Sequence, residues 1–327
     1  MWWLVACSPR VVEAEPPVGP GELVIEQLDL GRSRIGESAL VMSAGTTVLV
    51  DVGNDVHAGA IREALARYGR THVDFVVLTH FHADHIGGFD ALVDAGDLTV
   101  GEVIWRGAVH LDDANTGELD EVRARLGRNT ALCTESGCDL PYTVPVGPAS
   151  LTIFLADAVV ATPGGTVDLG RDLSDENARS LGGIVTWDAF DWLFAGDLTG
   201  GGKGTPDLEG LVVGAGPALP PVDVLQVNHH GISSSTSAAW VDALLVDGDA
   251  HAVVGANDSY LDAPSEEALA ALGPRLGGGH VWVTEDGVLG NHDAHTVVAH
   301  GPVTVRVRDG VEYEIRGGTT SGTWFAQ

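Results

Sequence analysis

The stretch Thr79-His80-Phe81-His82-Ala83-Asp84-His85-Ile86-Gly87-Gly88 decides the fold prediction, because it places three imidazoles and a carboxylate within six consecutive residues. It directly follows Val73–Leu78, a run that is apolar except for one aspartate and predicts a buried strand. In a loop at a strand end, alternate side chains can reach one ion while the next pair reaches a second. Imidazole and carboxylate ligands suit Zn²⁺, and also Mn²⁺ or Fe. The motif therefore predicts a metal centre rather than a group of solvated surface histidines.

Other predicted strands also end in residues that bind or orient metals. Leu193–Asp197 is an apolar run that ends in a carboxylate, which is well placed to bridge two ions. Val224–Gly231 ends in the pair His229 and His230. Asp51 closes an early strand, and a carboxylate at such a position more often orients a metal-bound histidine than binds the metal itself.

The motif Thr79–Gly88, the turn Ala195-Gly196-Asp197 and the turn His229-His230-Gly231 together resemble the metallo-β-lactamase fold. The resemblance covers about residues 23–287 and implies an α/β protein built as an αββα four-layer sandwich. Within that superfamily the sequence is most similar to the hydrolase domain of the DNA-uptake channel protein ComEC and its free-standing relatives. Further motifs carry this finer likeness: Asp29-Leu30-Gly31, Asp51-Val52-Gly53, Asn177–Leu181, Asn228–Ser235, Val254–Asn257 with Pro264, and Thr284–Gly287.

The resemblance implies two divalent metal ions, with Zn²⁺ expected and Mn²⁺ as the alternative. The implied ligands are His80 and His82 for the first ion, Asp84, His85 and His229 for the second, and Asp197 as the bridge. We prefer His229 to His230 as the ligand because it directly follows the strand. That choice leaves His230 to support a ligand or to donate a proton. The predicted catalytic residues are Asp84 and His230. Asp51 is predicted to orient a metal-bound histidine.

The sequence departs from many members of the superfamily in one respect. They supply a further histidine to the first metal before the bridging aspartate, whereas residues 176–196 contain none and Asn177 or Ser180 stands in that region. The ComEC-like group shows the same lack. The predicted substrate-binding residues are Ser233, Ser234 and Asn257; the serine hydroxyls could donate to phosphate oxygens, or could simply cap the following helix.

These features predict a metal-dependent hydrolase that cleaves a phosphodiester, in a nucleotide or a DNA-like substrate, by a metal-bridging hydroxide. One alternative is hydrolysis of a lactam, lactone or thioester, because the same fold hosts many reactions. Another is a non-catalytic, metal-binding lipoprotein. The missing histidine and the His-His-Gly turn weigh against a lactamase, and the intact ligand set weighs against a protein without turnover.

Composition limits the partners of this chain. Its 327 residues include 46 acidic and 17 basic side chains, for a formal net charge of −29. Such acidity opposes a stable, charge-driven complex with nucleic acid, but it permits a small-molecule or nucleic-acid phosphodiester that is bound at a metal centre. No apolar run approaches the roughly 20 residues that span a bilayer.

The amino-terminal region favours export. Residues 1–7 end in Leu4-Val5-Ala6-Cys7, which resembles a lipobox and predicts a lipid anchor at Cys7, and residues 8–22 read as a Pro/Gly-rich tether. Cys133 and Cys138 flank four residues, so a small disulfide loop, two free thiols and half of a metal knuckle are the alternatives. Together they predict an extracytoplasmic protein, periplasmic or a cell-surface lipoprotein.

The remaining chain, 23–327, is predicted to be one hydrolase domain with a carboxy-terminal β-hairpin extension. Strands and helices alternate in two successive halves, which predicts two sheets between helices. The hairpin turns at Asp309-Gly310. Residues 107–146 and 200–216 are expected to be insertions or lid loops, because glycine, proline and acidic residues are frequent there.

Overall fold

The computed structural model of the chain describes residues 15–111, 116–171, 173–245, 248–257, 263–277, 280–287 and 290–326. The predicted export segment 1–7, with Cys7, lies outside these residues, as does the first part of the tether 8–22. Within the described part of the tether, the Glu15 amide donates to the Arg67 carbonyl at 3.0 Å.

The first sheet contains strands from both ends of the chain. They are β1 (Glu22–Gln27), β2 (Ala39–Ser43), β3 (Thr46–Val50), β4 (His72–Leu78), β5 (Thr99–Trp105) and β6 (Asn129–Ala131), with β19 (Val303–Arg308), β20 (Glu312–Gly317) and β21 (Thr320–Phe325). In space the order is β21-β20-β19-β1-β2-β3-β4-β5-β6. The carboxy-terminal hairpin therefore extends this sheet, with β19 antiparallel to β1.

The second sheet is formed by the middle of the chain. It contains β9 (Tyr142–Val146), β10 (Ala149–Ala156), β11 (Val159–Thr162), β12 (Gly165–Asp168), β13 (Gly182–Trp187), β14 (Phe190–Phe194), β15 (Val224–Gln226), β16 (His251–Val254), β17 (Val281–Val283) and β18 (Thr296–Val298). The order is β12-β11-β10-β13-β14-β15-β16-β17-β18, and β9 pairs with β10.

Helices cover the outer face of each sheet. Along the chain they are α1 (Ala58–Arg67), α2 (Ala83–Ile86), α3 (Phe89–Asp94), α4 (Thr116–Arg125), α5 (Leu208–Ala215), α6 (Ala238–Leu244) and α7 (Glu266–Leu276). Leu23 and Ile25 of β1 share a core with Trp192 of β14 between the sheets, whereas Val24 packs in the outer core with α1. A third core joins the second sheet to α5, α6 and α7. The predicted αββα four-layer sandwich is confirmed.

The strands that carry the ligand motifs end at one edge of the sandwich. β3 and β4 are parallel neighbours in the first sheet, and β14, β15 and β16 are parallel neighbours in the second. The loops that follow parallel strands emerge at the same end of a sheet, which is where open α/β sheets carry ligands. The fold thus gathers Asp51, the histidine motif, Asp197 and the His229-His230 turn.

Several regions differ from the expectation of loops. Residues 107–146 contain α4, β6, β9 and a small hairpin of β7 (Cys133–Thr134) and β8 (Gly137–Cys138), whose cysteines are joined by a disulfide. Residues 200–216 contain α5. These elements are short or have polar exposed faces, so their hydrophobic period is weak. The tail also has a third strand, β21, beyond the expected hairpin.

Among the residues that the structure describes, no helix combines the length and the apolar composition needed to cross a bilayer.

Candidate metal centre

The histidine motif forms the loop after β4 and the first turn of α2. Thr79, His80 and His85 are fully buried, whereas His82 and Asp84 are partly exposed. Gly88 is needed for packing: a Cβ atom there would lie 2.3 Å from the Val52 carbonyl oxygen. The second glycine of the motif therefore allows two loops to approach each other, while its backbone angles are ordinary.

The Asp51 carboxylate contacts two residues of the motif, Thr79 and His85. Its Oδ1 accepts the Thr79 amide at 2.8 Å, and its Oδ2 accepts the Thr79 hydroxyl at 2.7 Å. Nδ1 of His85 lies 2.7 Å from the same Oδ2. A carboxylate on Nδ1 directs the proton there and leaves the Nε2 lone pair for a metal. Asp51 thus lies where an orienting residue is needed.

Asp197 lies at the centre of the cluster and is almost fully buried. Its Oδ1 is 3.1 Å from Nε2 of His85, and its Oδ2 is 3.3 Å from Nε2 of His229 and 3.7 Å from Nε2 of His80. The preceding Gly196 has φ +53°, and a Cβ there would lie 2.7 Å from the Thr79 hydroxyl. The two carboxylate oxygens therefore face two different sets of histidines.

His229 and His230 occupy opposite sides of the centre. Both residues have left-handed backbones, with φ of 50° and 55°, so consecutive side chains diverge. Nε2 of His230 lies 3.5 Å from Asp84 Oδ2, and His229 lies on the side of His80. This geometry differs from the expected assignment, in which His229 joined Asp84 and His85 and His230 had no ligand role. The left-handed turn, and not distance from the strand, decides which histidine faces Asp84.

Asn177 and Ser180, in the region where the sequence departs from the expected pattern, both lie beside the cluster. Asn177 Nδ2 lies 3.4 Å from His229 Nε2, and the Asp197 amide donates to the Ser180 hydroxyl at 3.1 Å. His229 thus lies on the same side of Asp197 as His80, since both rings approach its Oδ2.

Glu37 belongs to the cluster although its sequence position gave no signal beyond an acidic residue before an apolar strand. It is buried, and its Oε2 lies 3.2 Å from Nδ1 of His230. Gln226 Nε2 donates to its Oε1 at 2.6 Å, and Gln27 Nε2 donates at 3.3 Å. Glu37 therefore lies beside Nδ1 of His230, as Asp51 lies beside Nδ1 of His85.

A second acidic residue that was not predicted, Glu176, fixes the backbone of the motif. Its Oε1 accepts the amide of Phe81, between the first two histidines, at 2.9 Å. Its Oε2 accepts from Arg106 at 2.7 Å, and Arg106 also lies over the Phe81 ring, 4.1 Å from the centroid. Both charged side chains are buried, so each compensates the other.

The pKa values of the four buried histidines of the cluster shift in two directions. Burial lowers the pKa of His80 well below its usual range, and it also lowers the pKa of His229. Burial acts in the same direction on His85, but Asp197 and Asp51 raise the pKa of His85 well above its usual range. Despite burial, Glu37 and Asp84 raise the pKa of His230 to about 9.

Burial and neighbouring charges act on the carboxylates in the opposite directions: burial raises their pKa values, and the nearby histidines lower them. Burial would raise the pKa of Asp84 and of Asp197, but the neighbouring histidines lower both pKa values below the usual range. For Glu37, burial is the larger effect and raises the pKa to about 7, although His230 opposes it.

The predicted substrate residues are placed differently from one another. Ser234 is buried, and its hydroxyl lies 3.4 Å from Nδ1 of His229. Asn257 is also buried, and its amide donates to the Arg34 carbonyl. Ser233 is partly exposed and lines a surface cavity of about 420 Å³ together with Ser235 and Thr236. Of the three predicted residues, Ser233 has the exposure that contact with substrate requires.

The donor set fits divalent metal ions. Ligand atoms of Glu37, His85, Asp197 and His230 lie within 4.8 Å of one another, as do those of His80, His82 and Asp197. Nε2 of His85 and Oδ1 of Asp197 are buried without a well-directed hydrogen bond among the described residues. Buried polar atoms normally have partners, and a cation between these groups would supply one.

A family model described as the metallo-β-lactamase superfamily matches residues 33–255, which is more than half of the chain. The chain belongs to the metallo-β-lactamase superfamily. With its buried histidine and carboxylate cluster, it is a metal-dependent hydrolase of that superfamily.

Solved structures resemble this superfamily member at low identity. A mutant of CmlA β-hydroxylase is 17% identical over 78% of this chain and 48% of that chain, with a TM-score of 0.45, so this chain spans about half of that protein. Tm1679, titled a metal-dependent hydrolase of the β-lactamase superfamily, is 15% identical over 80% of this chain and 95% of that chain, with a TM-score of 0.45. A diphosphatase of the PhnP family is 13% identical over 88% of this chain and 97% of that chain, with a TM-score of 0.43. No curated protein sequence matches the chain.

Proposed function

We propose that this chain hydrolyses phosphodiesters, with a nucleotide or a DNA-like diester as substrate, in the manner of a free-standing relative of the ComEC hydrolase domain. The observation that carries the proposal is the arrangement around Asp197, whose two oxygens face separate sets of histidines. Two ions that share one carboxylate can bind both the attacking and the leaving oxygen of a phosphodiester.

The proposed ligand sets follow the side chains. His80, His82 and His229 would hold the first ion, and Asp84, His85 and His230 would hold the second, with Asp197 between them. This assignment makes His230 a ligand, whereas the sequence predicted a residue that supports a ligand or donates a proton, because its Nε2 lies 3.5 Å from Asp84. Zn²⁺ is the expected metal and Mn²⁺ the alternative, since both accept imidazole and carboxylate.

When bound, the ions supply a water of lowered pKa and neutralise charge on the phosphate. The chain's own residues fix the positions of the ligands before substrate arrives. Asp51 and Glu37 orient two imidazoles, and Glu176 fixes the backbone of the motif. Asp84 and His82 are the partly exposed members of the ligand sets, so we expect substrate to approach from their side.

The charge of the chain favours a small diester over long DNA. A formal net charge of −29 repels a polyanion at long range, so we expect no stable nucleic-acid complex. A nuclease that engages many phosphates loses activity steeply as salt rises, whereas cleavage of a small diester at a metal centre does not. We therefore expect a shallow salt dependence.

We further propose that the protein acts outside the cytoplasm, as a periplasmic or cell-surface lipoprotein anchored through Cys7. The disulfide between Cys133 and Cys138 supports this proposal, because such bonds persist mainly in oxidising compartments. Labelling with a radioactive fatty acid tests it: incorporation that is lost in Cys7→Ala supports the anchor, and its absence in the unaltered protein contradicts it.

The proposed activity is tested with a chromogenic phosphodiester and a chromogenic β-lactam, each with metal-loaded and with chelator-treated protein. We expect chelator-sensitive cleavage of the diester. Asp197→Asn should reduce kcat/KM at least about 100-fold, because an amide cannot supply the bridging charge. The matched control is Asp191→Asn, a buried aspartate on β14 whose carboxylate accepts from Thr186 at 2.6 Å, away from the cluster. Cleavage of the lactam alone would contradict the substrate class, and metal binding without any turnover would favour a binding protein.

A further inference from the structure

We propose that the two metal subsites are unequal and that the one formed by Asp84, His85 and His230 fills first, because a buried carboxylate stands behind each of its histidines. This inference rests on the proposed two-metal function and concerns the outer residues that tune the centre. It assigns Glu37 as a positioning residue.

The first of these pairs is Asp51 and His85. Nδ1 of His85 lies 2.7 Å from Asp51, and Asp51 is itself fixed by two donors from Thr79. All three residues are buried. The carboxylate makes the imidazole a stronger electron donor and holds its free nitrogen towards Asp197, at 3.1 Å.

The second pair is Glu37 and His230. Nδ1 of His230 lies 3.1 Å from the Gly255 carbonyl, which accepts its proton, and 3.2 Å from Glu37 Oε2, which adds negative charge beside it. Nε2 is thereby left to face Asp84. Amide donors from Gln226 and Gln27 stabilise the other oxygen of Glu37, which offsets part of the cost of burying it.

Two histidines of the other subsite, His80 and His229, have neutral hydroxyl groups beside Nδ1 instead of carboxylates. Nδ1 of His80 lies 3.1 Å from the Thr79 hydroxyl, whose own proton is donated to Asp51. Nδ1 of His229 lies 3.4 Å from the Ser234 hydroxyl. Hydroxyls orient an imidazole but add no negative charge.

The ligands themselves add to this asymmetry. The Asp84 subsite has a carboxylate of its own besides Asp197, whereas His80, His82 and His229 share only Asp197. Because a cation prefers the site with more negative charge in a low-dielectric interior, the first equivalent of metal should enter the Asp84 subsite. Removing a carboxylate behind a ligand typically weakens metal binding by about 10- to 100-fold.

The test is a titration of the metal-free full chain with Co²⁺, followed by calorimetry and by equilibrium dialysis. We expect two classes of site in the unaltered protein. Glu37→Gln should weaken the tight class about 10- to 100-fold and leave the weak class within about threefold. The matched control is Glu102→Gln. Glu102 is also a buried carboxylate, but it accepts from Thr130 and pairs with Arg128, and neither partner belongs to the metal centre. This variant should change neither class of site.

A reciprocal variant identifies the subsites. His82→Ala should abolish the weak class and keep the tight one, and its partly exposed position makes the fold tolerant of the change. Thermal unfolding in chelator confirms that each variant folds. Loss of the tight class in His82→Ala, an unchanged tight class in Glu37→Gln, or two equal sites in the unaltered protein would overturn the inference. Binding of no metal by the unaltered protein would instead refute the proposed function.

Discussion

His229 and His230 are adjacent in sequence, yet their rings, with centroids 6.2 Å apart, face opposite sides of Asp197. Nε2 of His229 lies 3.3 Å from Asp197 Oδ2, and Nε2 of His230 lies 3.5 Å from Asp84. The left-handed backbone of both residues creates this divergence. A single turn after β15 thus contributes to both halves of the centre.

This divergence predicts that the two histidines are not interchangeable. His229→Ala and His230→Ala should each lower the bound metal from two equivalents to one, and each should reduce kcat/KM by at least about 100-fold. His230→Ala should remove the tight equivalent and His229→Ala the weak one. Metal analysis after dialysis checks this, with the exposed His72→Ala as the control. Two retained equivalents in either variant would contradict the ligand assignment.

Gly88→Ala should damage the motif without touching a ligand. Its Cβ would lie 2.3 Å from the Val52 carbonyl oxygen, so the two loops must separate. We expect a loss of about 2–3 kcal/mol in the free energy of unfolding, measured in urea, together with weaker metal binding.

The control for that variant is Gly59→Ala. Gly59 lies in α1, and nothing lies within 4 Å of the position of its added Cβ. Alanine should there stabilise the helix by up to about 1 kcal/mol. If both variants had the same stability as the unaltered protein, the close approach at Gly88 would not be structurally important.

Glu176→Gln should destabilise the protein and weaken the metal centre together. The amide retains an acceptor for Phe81 but leaves the charge of buried Arg106 less compensated. Breaking a buried ion pair typically costs about 3–5 kcal/mol, and we expect the lower part of that range because Arg106 also contacts Asp157 at 3.4 Å. Urea unfolding measures the cost, and Glu135→Gln, at an exposed position, is the control. An unchanged stability would show that the pair is not needed.

His251 should make the stability depend on pH. It is fully buried on β16, its Nδ1 accepts from the Trp282 ring nitrogen at 3.2 Å, and burial together with nearby His280 lowers its pKa from 6.5 to about 3. Because the folded pKa is depressed, the unfolded chain takes up the proton first, and stability falls as the pH drops below about 6.5. Between pH 7 and pH 4 the loss from this residue is on the order of 3 kcal/mol.

The measurement is urea unfolding at several pH values, in chelator. His251→Gln cannot be protonated in this range, so its stability should fall less steeply with acid than that of the unaltered protein. Parallel slopes for the two proteins would show that His251 does not govern the acid dependence.

Much of the centre could be predicted because its residues follow apolar runs. Asp51 directly follows β3, the histidine motif begins one residue after β4, and Asp197 lies three residues after the end of β14. The last residues of each of these strands are buried and apolar, which is a signal that the sequence carries locally. The four-layer sandwich was implied by the family resemblance that these motifs carry, and the alternation of strands and helices in two successive halves predicted two sheets between helices.

The remaining features depend on contacts that no local pattern records. Glu37 precedes β2, but its role comes from Gln226 and His230, far along the chain in the second sheet. Likewise, the spacing of His229 and His230 could not reveal a left-handed turn, which places the second histidine beside Asp84. Within residues 107–146, β7 and β8 were missed because they have only two residues each, which is too short for a hydrophobic period.

The most direct test of the two-metal phosphodiesterase is the metal content of the purified chain, measured together with its cleavage of a generic phosphodiester before and after chelation. We predict two divalent ions per chain and turnover that disappears with chelator and returns when metal is restored. A chain that binds no metal after reconstitution, or that cleaves the diester equally well in chelator, would contradict the central claim.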